Sequence, residues 1–147
     1  MELDKTDVEI LRTLVFDARL SSRQVAKRCG VSIGTVLTRM KRMEKGGIIK
    51  GYAAVLDHEK LGFELTVVTE ITVSKGKLLE VENEIARLPN VCCVYDVTGL
   101  VDAVIVAKFK DREDLSRFTK RLLNIAYVER TNSHVVLTTI KEDFRLT

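Results

Sequence analysis

Three stretches near the N-terminus repeat one punctuation: an apolar residue, a short polar residue, and a second apolar residue five positions after the first. They are Leu3, Asp4 and Val8; Leu20, Ser21 and Val25; and Val31, Ser32 and Val36. The polar residue satisfies orphan N–H groups of a first helical turn, while the apolar pair fixes the angle at which the chain enters. This predicts three short helices in close succession. Gln24, three residues after Ser21, completes a capping box, and Gly30 supplies the left-handed residue that ends the second helix just before Ser32 caps the third. The spacing from Val25 through Gly30 to Val36 is that of a helix-turn-helix.

In the third helix Val36, Met40 and Met43 recur at i, i+4 and i+7, flanked by Ile33 and Leu37, so one stripe faces a core. The other face carries Gly34, Thr35, Thr38, Lys41, Arg42 and Lys45, with hydrogen-bonding and cationic groups and no acid. Such a face suits a DNA groove. Arg39, Lys41, Arg42 and Lys45 are expected to hold phosphates, and Ile33, Gly34, Thr35 and Thr38, nearer the helix start behind the Ser32 cap, to read base edges. Ser22, Arg23 and Gln24 are candidates for the backbone beside the groove. Glycine inside a helix costs about 1 kcal/mol relative to alanine, so Gly34 suggests close approach by something outside the helix.

The charge distribution agrees. Net charge is +3, but residues 1–62 hold 12 Lys+Arg against 8 Asp+Glu, and the remainder 12 against 13. Between Arg19 and Lys50 there are nine bases and one acid, Glu44, the concentrated patch expected of a nucleic-acid binder. No apolar run approaches the roughly 20 residues needed to span a bilayer, and Met1 is followed by Glu2 and Asp4 rather than a basic and greasy leader, so a cytoplasmic location is expected. Cys29, Cys92 and Cys93 make no disulfide framework, and neither His58 nor His134 has neighbours at ligand spacing, so no metal site or catalytic cluster is expected.

After Lys45, Gly46 and Gly47 stop the helix, and residues 48–56 read as a wing plus a connecting strand. Domain boundaries are placed at 1–50 for the DNA-binding head, 51–63 for the connecting strand and linker, and 64–147 for a second domain. At Glu64 the apolar period switches to two: Leu65, Val67, Thr69, Ile71 and Val73 share one strand face. An amphipathic helix follows on Leu78, Val81, Ile85 and Leu88, then strands over 91–98 and 102–109, a helix capped by Asp111 with Leu115, Phe118, Leu122 and Leu123 inward, and a last strand over 127–140. The order βαββαβ is ferredoxin-like, an antiparallel sheet with both helices on one face. The fold class is therefore α/β (α+β). The other sheet face, with Val68, Val104, Val106 and Val136, is expected to pack on an identical face of a second chain.

With LDKTDVEILRTL, SSRQVAKRCGVSIGTVLTRMKRMEKGGIIKGY and VTGLVDAVIVAKF in place, the chain resembles the leucine-responsive and asparagine-operon regulators, the Lrp/AsnC or feast/famine family, over essentially its whole length. The resemblance implies a transcription regulator with a RAM-type C-terminal domain. It also implies homodimers that often assemble to octamers, and small-molecule effectors, commonly amino acids, bound between subunits. By position, Thr98, Gly99, Leu100, Val101 and Asp102 correspond to the effector-facing loop, and Thr131 and Ser133 to a facing polar pair. Leu100 and Val101 depart from the pattern, since many members carry an acidic or polar residue and then an aromatic there. Siroheme decarboxylases are similar in layout and make an enzyme the competing reading; a ligand-sensing module without DNA binding is the other.

Overall fold

The structure is a computed structural model that describes residues 2–145. Two compact units are present, one of residues 2–55 with 141–145, the other of residues 56–140. The first holds α1 (Lys5–Phe16), α2 (Ser22–Cys29) and α3 (Ile33–Lys45). All three begin as their punctuation requires, on Asp4, Ser21 and Ser32, each accepting a hydrogen bond from the backbone N–H three residues on. Gly30 ends α2 at φ 66°, a conformation that costs a residue without a Cβ nothing. Ile10, Leu14, Val25, Ala26, Val36 and Met43 form the core.

Apolar spacing predicts Val8, Leu11, Leu14 and Val15 inward on α1, and residues 48–56 as a wing plus a connecting strand; the structure departs from both. On α1 the buried line is Asp7, Ile10, Thr13 and Leu14, while Val8, Leu11 and Val15 are only half-buried. The inward stripe is displaced around the helix because Asp7 is one of its members. Residues 48–56 contain no strand, for a physical reason: a strand exists by virtue of a ladder, and among the described residues no segment pairs with them.

The second unit contains β1 (Leu65–Val73), α4 (Leu78–Ile85), β2 (Val91–Asp96), β3 (Ala103–Phe109), α5 (Arg112–Asn124) and β4 (Val128–Val135). The strand order is β2-β3-β1-β4, every pair antiparallel, which is the ferredoxin-like arrangement. Period-two burial of β1 places Val67, Thr69, Ile71 and Val73 against the helices, where they meet Val81, Ile85, Ile105, Phe109, Phe118 and Leu122. Leu123 is 55% exposed, and Ile125 takes the inward place expected of it. β4 is shorter than its apolar run: the Val136 N–H still donates to the Thr66 carbonyl, and residues 137–140 follow without strand pairing. The opposite face presents Val68 paired with Val106, and Glu70 paired with Val104.

The β1–β4 register shifts between Thr72 and Val73. On the other side of β1, Val73 lies two residues beyond Ile71, the last residue paired with β3, and the Asp102 carboxylate accepts from its N–H at 2.8 Å while the Asp102 N–H donates to the Ile71 carbonyl at 2.9 Å. Asp102 thus stitches the loop before β3 to the end of β1. Asp102→Ala should destabilise the second unit by about 1–3 kcal/mol with no ligand present, measured by urea unfolding, because the Val73 N–H loses its partner.

Candidate functional site

Side-chain spacing on α3 sorts its residues. Gly34, Thr38, Lys41 and Lys45 recur at i, i+4, i+7 and i+11, and all four are exposed, opposite the buried Val36 and Met43. Ile33 and Leu37 border this stripe at 41% and 53% exposure; Leu37 lies on the open side rather than flanking the core as the periodicity suggested. An exposed leucine beside a threonine on a helix of this kind has the chemistry to meet a thymine methyl, a feature that the sequence pattern concealed. Its signal was the pairing with Lys41, one turn on, in an otherwise polar arc.

The short polar residues are less available than their positions imply. Ser32 and Thr35 hydroxyls lie 2.9 Å apart, and Ser32 also accepts from the Thr35 N–H at 3.0 Å. Gln24 Oε1 accepts from the Ser21 N–H and hydroxyl, both at 2.8 Å, so its carbonyl is folded onto the cap of α2 beside half-buried Ser22 and exposed Arg23. At Gly34 an added Cβ would meet only the Ser32 hydroxyl at 3.8 Å. Nothing within the chain therefore demands glycine at that position.

The arginines require a correction. Arg39 does not face outward with Lys41 and Lys45: its Nη1 donates to Asp4 at 2.5 Å and to Asp7 at 2.9 Å. Arg42 Nη2 donates to the other oxygen of Asp7, which also accepts from the Asp4 N–H at 3.0 Å. The Asp7 side chain is fully buried, so α1 contributes a carboxylate that two guanidiniums of α3 must neutralise. Arg39 is raised above its ordinary value by these partners, the Asp4 hydrogen bond first. The Asp4 carboxyl is brought down to about 2, chiefly by Arg39 and then by the Asp7 N–H. Burial pushes Asp7 up, yet the Asp4 N–H and both arginines outweigh it, leaving it below the ordinary carboxylate range. Glu44, the single acid of the basic stretch, accepts from the Tyr52 hydroxyl at 2.9 Å; burial and that carboxylate push Tyr52 up to about 12.

In the second unit a cavity of about 210 Å³ opens on the sheet face away from the helices, lined by Glu70, Thr72, Leu100, Val101, Arg130 and Asn132. Leu100 and Val101 are where the family resemblance puts an effector loop; exposed Thr98 and Gly99 complete its turn, and Asp102 is turned back onto β1. Thr131 and Ser133 are not on this face. They oppose Ile71 and Thr69, on the helix side, where Ser133 and Thr69 hydroxyls are 2.9 Å apart. Because side chains alternate along a strand, the residues sharing the cavity's face are Arg130, Asn132 and His134. Asn132 donates to Glu70 at 2.9 Å, and that bond first, then His134, lowers the Glu70 carboxyl. His58 packs edge-on against Phe63, with ring centres 6.0 Å apart. Among the described residues no helix is long and apolar enough to cross a membrane.

Comparison with known proteins gives two family matches: winged helix-turn-helix DNA-binding over residues 3–50, and Lrp/AsnC ligand binding domain over residues 66–146. An uncharacterized HTH-type transcriptional regulator of Pyrococcus furiosus is 48% identical over 99% of both chains. Among solved structures, a transcriptional regulator of Neisseria meningitidis in complex with L-Met is 30% identical, with a TM-score of 0.89 over 99% of this chain and 97% of that one. LrpC of Bacillus subtilis is 28% identical, with a TM-score of 0.84 over 97% and 100%.

The acid sensitivity of the packing of α1 against α3 follows from two carboxyls, Asp4 and Asp7. Both are depressed in the folded state, so their stabilisation is fully present above the unfolded value near 3.8 and is lost as pH falls through the folded values. The melting temperature of the first unit, followed by circular dichroism, should be level from neutral pH to about pH 4 and fall steeply from there toward pH 2. Asp4→Asn should blunt that acid limb.

Proposed function

Because the chain belongs to the Lrp/AsnC family of transcriptional regulators, with a helix-turn-helix DNA-binding domain and a ligand-binding domain, we propose that it binds double-stranded DNA sequence-specifically as a homodimer or a higher assembly such as an octamer, under control of an amino-acid effector. The observation that carries the DNA reading is the exposed stripe Gly34, Thr38, Lys41 and Lys45 with Leu37 at its edge. Short and apolar groups stand where base edges would lie, with two lysines toward the helix end for phosphates. A two-fold assembly sets two such helices about 34 Å apart or a multiple of it, and favours pseudo-palindromic sites.

Support for the dimer comes from the open sheet face. Val68, Val104 and Val106 lie together there, beside Tyr95 and Cys93 on β2, an apolar strip on a sheet whose two helices cover only the other side. The effector reading rests on the cavity beneath Leu100 and Val101. It offers one carboxylate, Glu70, and one guanidinium, Arg130, and an α-amino acid presents the complementary ammonium and carboxylate. The L-Met bound to the Neisseria relative is a ligand of this class.

Selection from genomic DNA by the purified protein at several salt concentrations tests the main reading: a pseudo-palindrome should be enriched, and its absence at every salt would overturn specificity. On that site Thr38→Ala should change the ranking of base substitutions, whereas Lys45→Ala should weaken all sequences alike and flatten the salt slope by about one unit per bound head. Val106→Glu, which buries a charge in the strip, should shift the light-scattering mass to that of a single chain. Calorimetric titration with the twenty amino acids should give heat for at least one, and Arg130→Ala should remove it.

A further inference from the structure

Among the described residues of the first unit Asp7 is the one fully buried carboxylate, and its place looks unfavourable for a DNA-binding head: an acid one residue layer behind the reading helix. Stability alone does not require the arrangement, since a well-packed apolar group serves a small core at least as well as a buried ion pair. What the cluster does provide is orientation. Asp7 Oδ1 accepts from Arg39 and Oδ2 from Arg42, so a single carboxylate on α1 holds two side chains a turn apart on α3.

The two arginines are held differently. Arg39 is bonded to both Asp4 and Asp7 through Nη1, and its side chain is 26% exposed; it faces inward. Arg42 is 46% exposed and meets Asp7 through Nη2 alone. A guanidinium has five N–H donors in a rigid plane, so fixing one edge on Asp7 aims the other edge outward at a set angle. The geometry points to Asp7 as a positioning residue for DNA binding: through Oδ2 it holds Arg42 so that the opposite edge of the guanidinium meets a DNA phosphate, while Arg39 serves as a lock between α1 and α3. This rests on the DNA-binding reading above.

The inference makes a prediction opposite in sign to simple electrostatics. Removing an acid from behind a DNA-facing helix should, by charge alone, tighten binding and steepen its salt dependence. If Asp7 positions Arg42, Asp7→Asn should instead weaken binding, because one phosphate contact is lost. A contact contributes about 0.9 to the slope of log affinity against log salt, which amounts to roughly fivefold in affinity at 0.15 M salt.

The experiment measures binding of the full-length protein to a mixed-sequence 40-base-pair duplex between 0.05 and 0.3 M salt, with circular dichroism on each variant. Wild type should bind with a steep negative slope. Asp7→Asn and Arg42→Ala should each flatten it by about one unit per bound head, and the double variant should flatten it no further than Arg42→Ala alone. Arg42→Lys keeps the charge and leaves Asp7 a partner, but one ammonium cannot be fixed on Asp7 and offer a second aimed edge; it should flatten the slope like Arg42→Ala. A folded Asp7→Asn protein that binds more tightly, or keeps the wild-type slope, overturns the inference. So does a wild-type slope in Arg42→Lys, which decides the matter even if Asp7→Asn fails to fold. Wild type that shows no salt-dependent binding at all would overturn the DNA reading itself and this inference with it, a result distinct from either variant's.

Discussion

One-sided burial governs both units. Three helices of 8 to 13 residues can surround only one small core, so each has an outer face left over, and a four-stranded sheet with two helices covers one of its two faces. The surfaces that remain are not arbitrary. On α3 the leftover face carries Gly34, Leu37, Thr38, Lys41 and Lys45; on the sheet it carries Val68, Val104 and Val106 with Glu70 and Asn132 at the margin. A polar outer face would have sufficed for solubility in both cases. Apolar groups kept on each are the physical sign that something else completes the burial.

Much of this was legible in the sequence, because the signals are local. Caps, staples and Gly30 mark the three helices through hydrogen bonds that span three or four residues, and period-two alternation from Leu65 to Val73 marks β1. What escaped depends on contacts between distant residues. Arg39 and Arg42 read as outward cations because their partners, Asp4 and Asp7, lie more than thirty positions earlier. Asp7, in the first turn of α1 where an acid suits the positive helix end, is also a core residue. Thr131 and Ser133 were assigned to the effector side, but parity on an edge strand is fixed by register with β1, and one residue of error exchanges the faces. Residues 48–56 show the converse. Their alternation is real, and alternation without a partner strand does not make a strand.

The Asp102 and Asp7 carboxylates illustrate one principle in two settings. Each is an acid beside a surface of proposed function, Asp102 in the loop before β3 and Asp7 behind α3, and each is engaged by groups nearby: Asp102 by the Val73 N–H, Asp7 by the Asp4 N–H and two guanidiniums. A buried charge must be paired before it can do anything else. Arg42 in the first unit, and Glu70 with Arg130 at the sheet cavity, still have surface open to an outside charge.

This accounting bears on how a head so small can hold DNA. Nine bases between Arg19 and Lys50 suggest a dense grip, but Arg39 is committed to Asp4 and Asp7, Arg28 lies 5.6 Å from the Phe16 ring centre, and Arg42 shares its guanidinium with Asp7. On the recognition helix, Lys41, Lys45 and the outer edge of Arg42 remain. With a contact contributing about 0.9 to the salt slope, three phosphates held by α3 would supply only a modest grip at physiological salt, to which Arg23 beside the groove would add. Two heads on one assembly change the arithmetic, because the second binds at the high effective concentration set by the first. On the proposed reading the valine strip on the sheet and the few free cations on α3 are linked: joining two heads would recover the affinity that one head lacks, and a ligand that altered the join would alter the grip.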